Sequence, residues 1–268
     1  MKKFFISFII LIFSFFTVVH AKIDKYKKGD LIIDKIKLNN KKSIKLPQGK
    51  WEVYYRSTEH AAGMRFSVLS LGKIENNKII EFIDIGYANM AGMYVLYVDP
   101  IINEVMFKDP HDGCYERPEY FLLELYRAGS THNCFKVGHV DVNKELYNPD
   151  DKTLAYLDAK IIRWIEDNDI EIPKIALESD HIFFLRSVSP RYYVISHAIN
   201  PKFFNGPKIK FFSEDSSEYH SLNINNYPNH KKFMDKFLSN ESLFHKLLED
   251  QMKLKQRHKL DLSKNIIE

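Results

Sequence analysis

The first pattern along the chain is an apolar run over residues 4–19, broken only by Ser7, Ser14 and Thr17 and preceded by Lys2 and Lys3. It ends at Val19-His20-Ala21, after which residues 22–25 turn polar. A positive start, a short apolar core and a small residue at the cut mark a secretory signal peptide, so residues 1–21 are expected to be removed. The rival reading is a retained anchor, although 16 residues fall short of the roughly 17 to 25 that a spanning helix needs. No cysteine stands near the cut, and no later stretch is apolar over 18 residues, so no transmembrane segment is expected after cleavage.

From residue 22 to about 107 the pattern changes to short alternating runs. Trp51, Val53 and Tyr55 alternate with Glu52, Tyr54 and Arg56 after the turn Pro47-Gln48-Gly49, the period of a half-buried strand. Residues 31–38, 64–71, 78–85 and 93–98 are further strands, with Glu75-Asn76-Asn77-Lys78 as a hairpin turn, and the short connections predict antiparallel pairing. Between Cys114 and Cys134 the spacing of Phe121, Leu122, Leu125 and Tyr126, with Pro118 before it and Gly129 after, predicts a short helix. Beyond it Phe135, Val137, His139 and Asp141 share one face of a strand.

Asn148-Pro149-Asp150-Asp151 opens a longer helix carrying Leu154, Leu157, Ile161, Trp164 and Ile165, ending near residues 167–169. Residues 182–188 and 191–197, joined across Ser189-Pro190, predict a hairpin, and 200–229 an ordered but irregular crossing. Phe233, Phe237, Phe244, Leu247 and Leu248 mark a closing amphipathic stretch, broken at 239–242 if Ser239 caps a second helix. The expected class is therefore α+β: a mainly antiparallel sheet, sandwich-like or curved, with a short disulfide-stapled helix, a mid-chain helix and C-terminal helices. Residues 22–250 are expected to form a single α+β globular domain and 251–268 a basic, frayed tail.

Composition narrows this picture. The chain has 268 residues with 39 basic and 35 acidic side chains, and loss of Lys2 and Lys3 leaves a net charge of only +2, which implies no nucleic-acid surface. Cys114 and Cys134 are the only cysteines. In an exported chain such a pair reads as a disulfide, closing a loop of about 20 residues worth on the order of 3 kcal/mol. The alternative is a nucleophilic thiolate beside His111, His132 or His139.

No G-x-S-x-G, G-x-G-x-x-G, P-loop, H-E-x-x-H or C-x-x-C motif is present. What remains is His139-Val140-Asp141, whose outer members point the same way on a strand, with His111-Asp112 and His132 flanking the cysteines. The sharper reading is a divalent-metal site on His139 and Asp141; the plainer one is a core histidine hydrogen-bonded to its neighbour. No other cofactor is implied. The 15 Tyr and 20 Phe supply a ligand platform, or reflect a general preference for Ile, Phe, Tyr, Lys and Asn along the chain. The lysine-rich stretches 22–28, 35–45 and 253–259 read most simply as solvated surface, with contact to anionic lipid as the alternative.

Leu46-Pro47-Gln48-Gly49-Lys50-Trp51 after a signal peptide, His197-Ala198-Ile199-Asn200-Pro201, the pair Tyr219-His220 and a terminal amphipathic helix together resemble a group of uncharacterised exported bacterial proteins. Tyr219 stands where that group carries Trp. The resemblance covers the two ends of the chain and implies export but no activity. The function expected is that of a periplasmic or secreted, non-catalytic protein that binds a small ligand or an envelope partner. The alternative is an envelope hydrolase with a His/Asp site near His111, His132, His139 and Asp141.

Overall fold

The computed structural model describes residues 22–38, 42–61, 64–89, 120–127, 131–147, 155–185, 191–213 and 215–252. Eight strands form one sheet: β1 (Leu31–Lys37), β2 (Ser43–Ala61), β3 (Met64–Glu75), β4 (Lys78–Asn89), β5 (Phe121–Arg127), β6 (Thr131–Asp141), β7 (Ile175–Leu185) and β8 (Arg191–Ile199). Their order is β1-β2-β3-β4-β8-β7-β6-β5, and every pair is antiparallel. Two four-stranded meanders thus meet where their last strands, β4 and β8, pair. The β3–β4 turn is Asn76-Asn77, both left-handed at φ 50° and 59°, the backbone that a two-residue hairpin demands and that Asn tolerates.

Helix α1 (Val142–Tyr147) and helix α2 (Ala155–Asp167) lie on the outer side, and the long α3 (Pro228–Met252) covers the inner side. Strand residues alternate accordingly. Trp51, Ile83, Ile85, Tyr193 and Ile195 point inward to meet Phe244 and Leu248 of α3, while Phe121, Phe135 and Val137 meet Met234 and Phe237. Trp51 is fully buried, as its place in the alternation requires, and its indole N–H donates to Pro47 O at 2.9 Å. On the outer side the Trp164 ring of α2 stacks on Tyr54 at 4.8 Å between centroids. Among the described residues no helix is long and apolar enough to cross a membrane.

The α+β expectation is corrected: the molecule is largely β, one continuous antiparallel sheet instead of a sandwich of two, with helices laid on its faces. The helix expected between the cysteines is corrected too, because residues 121–127 are strand β5. That run is apolar at successive positions, which a helix stripe and a strand buried on both faces satisfy equally. Phe121 and Leu123 pack inward and Leu122 outward, and pairing of Phe121 with Val137 through Arg127 with Thr131 decides for the strand.

The staple is corrected in what it holds, a strand instead of a helix; the expected bond from Cys114 to Cys134 lies outside the described residues, and no described cysteine is a free thiol. Cys134 is buried in β6 beside Ile182 and Phe184, whereas Cys114 lies outside the described residues. The two C-terminal helices are corrected to one. Helix α3 continues through 239–242, so Ser239 caps no second helix, and within that stretch the Ser242 hydroxyl donates to Leu238 O one turn back at 2.7 Å. The strand expected at 93–98 and the residues after 252 lie outside the described residues.

Candidate functional site

Strands β4, β8 and β7 at the centre of the sheet carry polar residues on both faces, and the two sets differ in access to solvent. On the inner face Glu81, His197, Ser179 and His181 stand where apolar residues would be expected, opposite Glu241 and His245 of α3. Glu241 and His245 are one turn apart on the helix stripe that also carries Phe237, Phe244 and Leu248. His197 Nδ1 lies 3.0 Å from Glu241 Oε1, and its Nε2 lies 3.4 Å from Glu81 Oε2. Lys73 Nζ, which also sits over the Trp51 ring, donates to Glu81 Oε1 at 2.8 Å.

The charges along this line alternate. Burial alone would push the His197 imidazole down, but Glu241 and then Glu81 outweigh it and raise its pKa to about 9. Burial likewise favours the neutral form of Glu241, yet His197 and His181 hold its carboxyl well below the usual range. His181 and His245 are pushed down by burial and stay neutral. The proton positions follow from this. Ser179 Oγ donates to Glu241 Oε2 at 2.5 Å, so His181 Nε2, 3.1 Å from that hydroxyl, must carry the proton it offers. His181 Nδ1 is then an acceptor for His245 Nδ1–H at 3.0 Å.

A serine, two histidines and a carboxylate invite comparison with a hydrolytic triad, but the order of contacts is wrong. The acid bonds the serine directly, and the far nitrogen of His181 faces another histidine. All these groups are buried under α3. This is an ionic lock that fixes α3 to the sheet.

The outer face presents a different row. Ser70, Asp84, Ser196, Asp180 and Lys136 are directly paired, one from each of the adjacent strands β3, β4, β8, β7 and β6. Lys136 Nζ meets Asp180 Oδ2 at 3.1 Å, and the Ser196 hydroxyl donates to Asp180 Oδ1. Burial raises the Asp84 carboxyl to about 6 against the opposing hydrogen bonds of Ser70 and Tyr54, with Asp180 adding repulsion. Its Oδ1 is shut from solvent and meets no hydrogen-bond partner among the described residues. Yet the surroundings are not sealed: Val68, Phe82, Gly86, Val194 and Ser196 on the same face are only half-buried.

The residues singled out from the sequence come together only in part. Asp141 Oδ1 accepts the Lys144 amide at 3.1 Å and so caps α1. His139, on the inner face of β6, packs edge-to-face on His220 at 5.7 Å between centroids. His132 sits in β6 opposite Phe184, but its side chain, with His111 and Cys114, lies outside what the structure describes. Among the described residues no three His, Cys, Asp or Glu side chains form a group able to hold one metal ion. The Asp84 row went unread in the sequence because its members are single polar residues on five strands, aligned only by the register. Comparison of the chain with protein-family models, with curated proteins and with solved structures yields no match.

Proposed function

We propose that the chain is an exported, non-catalytic binding protein that takes a small ligand on the outer face of its sheet, over Asp84. One observation supports this reading above the rest: a carboxyl oxygen that finds no partner among the described residues, buried on a face whose neighbours keep partial access to solvent. Above pH 6 that carboxyl is ionised, and a buried carboxylate calls for a donor. The ligand class that fits is amphiphilic, with a hydroxyl or ammonium head on Asp84 and an apolar body along Val68, Phe82 and Val194. The envelope-hydrolase alternative has less to stand on, because Asp141 is engaged as a helix cap and His139 packs against His220.

Native mass spectrometry of the protein isolated from exporting cells tests the proposal. A small organic molecule is expected on the wild type, at lower occupancy on Asp84→Ala, and absent from Gly86→Leu. Gly86 is the right place to fill the face, since a Cβ there meets only Val194 at an ordinary 3.6 Å. The reading fails if the wild type carries nothing and neither a long-chain alcohol nor a long-chain amine raises its melting temperature. It fails equally if Gly86→Leu retains the molecule.

A further inference from the structure

The first hairpin of the sheet presents an unusual outward face. Directly paired residues share a face, so the register Leu31 with Glu52, Ile33 with Lys50, Lys35 with Lys45 and Lys37 with Ser43 defines that surface. Ile32, Ile36, Ile44 and Trp51, at the alternate positions, fill the inner core. What remains outside is Leu31 at 67% and Ile33 at 58% exposure, together with the exposed Lys35, Lys37, Lys45 and Lys50. The acids close by are Glu52, Asp30 beside Leu31, whose carboxylate accepts the Lys27 amide, and Asp34 on the bulge of β1 at φ 67°. Lys25, Lys27 and Lys28, all exposed, extend the positive charge along the segment that leads into β1.

Lysines on an edge strand commonly serve a humbler purpose, which is to discourage pairing with another chain. That explains Lys35 and Lys37 on β1, the edge of the sheet. The same holds for Lys45 and Lys50, in the part of β2 that pairs with β1 alone before β3 joins at Glu52, but it does not explain two bare aliphatic side chains at the edge itself. A nucleic-acid surface would be built differently, with arginine and aromatic groups to stack on bases, and this face carries neither. Point-like ammonium charges around a small aliphatic patch match an anionic bilayer, where lysines meet headgroups and Leu and Ile enter between them.

We propose that the outward face of the β1–β2 hairpin binds the surface of a bilayer containing anionic lipid, with Lys35, Lys37, Lys45 and Lys50 as the electrostatic contacts and Leu31 and Ile33 as the inserting groups. The surface is separate from the Asp84 row, and neither proposal depends on the other.

Co-sedimentation of the protein isolated from exporting cells with vesicles is the test. Vesicles of mixed phosphatidylglycerol and phosphatidylcholine should bind it, and phosphatidylcholine alone at least about 100-fold more weakly, given roughly five-fold per lysine near such a surface. The variant Lys35→Glu/Lys37→Glu/Lys45→Glu/Lys50→Glu keeps charge on the edge strand, so it remains protected from edge pairing while losing the lipid. Leu31→Ser/Ile33→Ser should weaken binding about ten-fold and abolish what persists at high salt. Wild-type binding that is insensitive to salt overturns the proposal even if the charge-reversed variant does not fold. Binding retained by the folded four-lysine variant overturns it as well, as does affinity for duplex DNA equal to that for the anionic vesicles.

Discussion

The inner lock and the outer row are built on the same three central strands, often from adjacent residues: Asp180 beside His181, Ser196 beside His197. Alternation sends one member of each pair to a sealed layer and the other to a half-open one. Along the lock each charge has an opposite partner within hydrogen-bonding range, from Lys73 through Glu81 and His197 to Glu241. On the outer face one carboxyl oxygen is left over. Pairing completed in burial is what a structural network needs, since an unpaired charge in a core is costly. A leftover acceptor beside solvent-reachable apolar residues is what a binding surface offers.

The largest effect expected is at the centre of the lock. Glu241→Ala leaves His197 with half its counter-charge and Ser179 with only the His197 carbonyl at 3.3 Å to accept its proton, and should cost about 3–5 kcal/mol in urea unfolding. The double variant Glu241→Leu/His197→Phe should recover most of that loss, because it removes both charges and restores an apolar contact. A single-site cost under about 1 kcal/mol would place the two faces on an equal footing and break the distinction.

Much of the fold was legible in the pattern of apolar residues. The strands at 31–38, 64–71, 78–85 and 191–197 and the face of Trp51 follow from period-two alternation, and the Asn76-Asn77 turn from its chemistry. The helix ending at Asp167 followed from its stripe. Residues 121–127 were misread because a short apolar run carries no periodicity of its own, and the pairing with β6 that decides it is non-local. Neither polar set was visible for the same reason. His181, His197 and Glu241 are scattered along 61 residues and converge only when β7, β8 and α3 stack. A local hint existed in Glu241, a charge in the middle of an apolar helix stripe. The Asp84 row leaves even less trace, since each member is one polar residue in an otherwise strand-like run.

Acid and base separate the two faces by the pH window in which each responds. Folded His197 keeps its proton to about pH 9, whereas the unfolded side chain releases it near 6.5. Its contribution is complete below about 6.5 and lost as pH rises through 9, about 3 kcal/mol across that window. His181 and His245, held neutral, behave oppositely, and their contribution fades as pH falls below 6.5. Asp84, raised from 3.8 to about 6, contributes fully below 3.8 and loses its share as pH rises through 6. Asp84→Asn should therefore stabilise the protein by about 1–3 kcal/mol above pH 6 and steepen the loss between pH 6 and 4. His197→Asn should flatten only the alkaline limb. Urea midpoints measured from pH 4 to 9.5 on the three proteins check the signs, and an Asp84→Asn effect confined to pH above 7 would contradict the assignment.

The smallest and most closely matched comparison uses two serines that differ chiefly in the face they occupy. Ser179 and Ser196 lie on neighbouring central strands, and each donates its hydroxyl proton to a carboxylate, Glu241 on the inner side and Asp180 on the outer. Removing the inner hydroxyl leaves Glu241 Oε2 and the proton of His181 Nε2 only their long 3.4 Å contact with each other in a buried layer, so Ser179→Ala should cost about 1–3 kcal/mol. On the outer face Asp180 keeps Lys136, and solvent can reach the row beside half-buried Ser196. Ser196→Ala should therefore cost only about 0.5–1 kcal/mol, and the difference between the two serines should persist at pH 8. Equal losses from the two variants would mean that the outer row is as dry as the inner lock, and that a ligand could reach Asp84 only after part of the molecule moved aside.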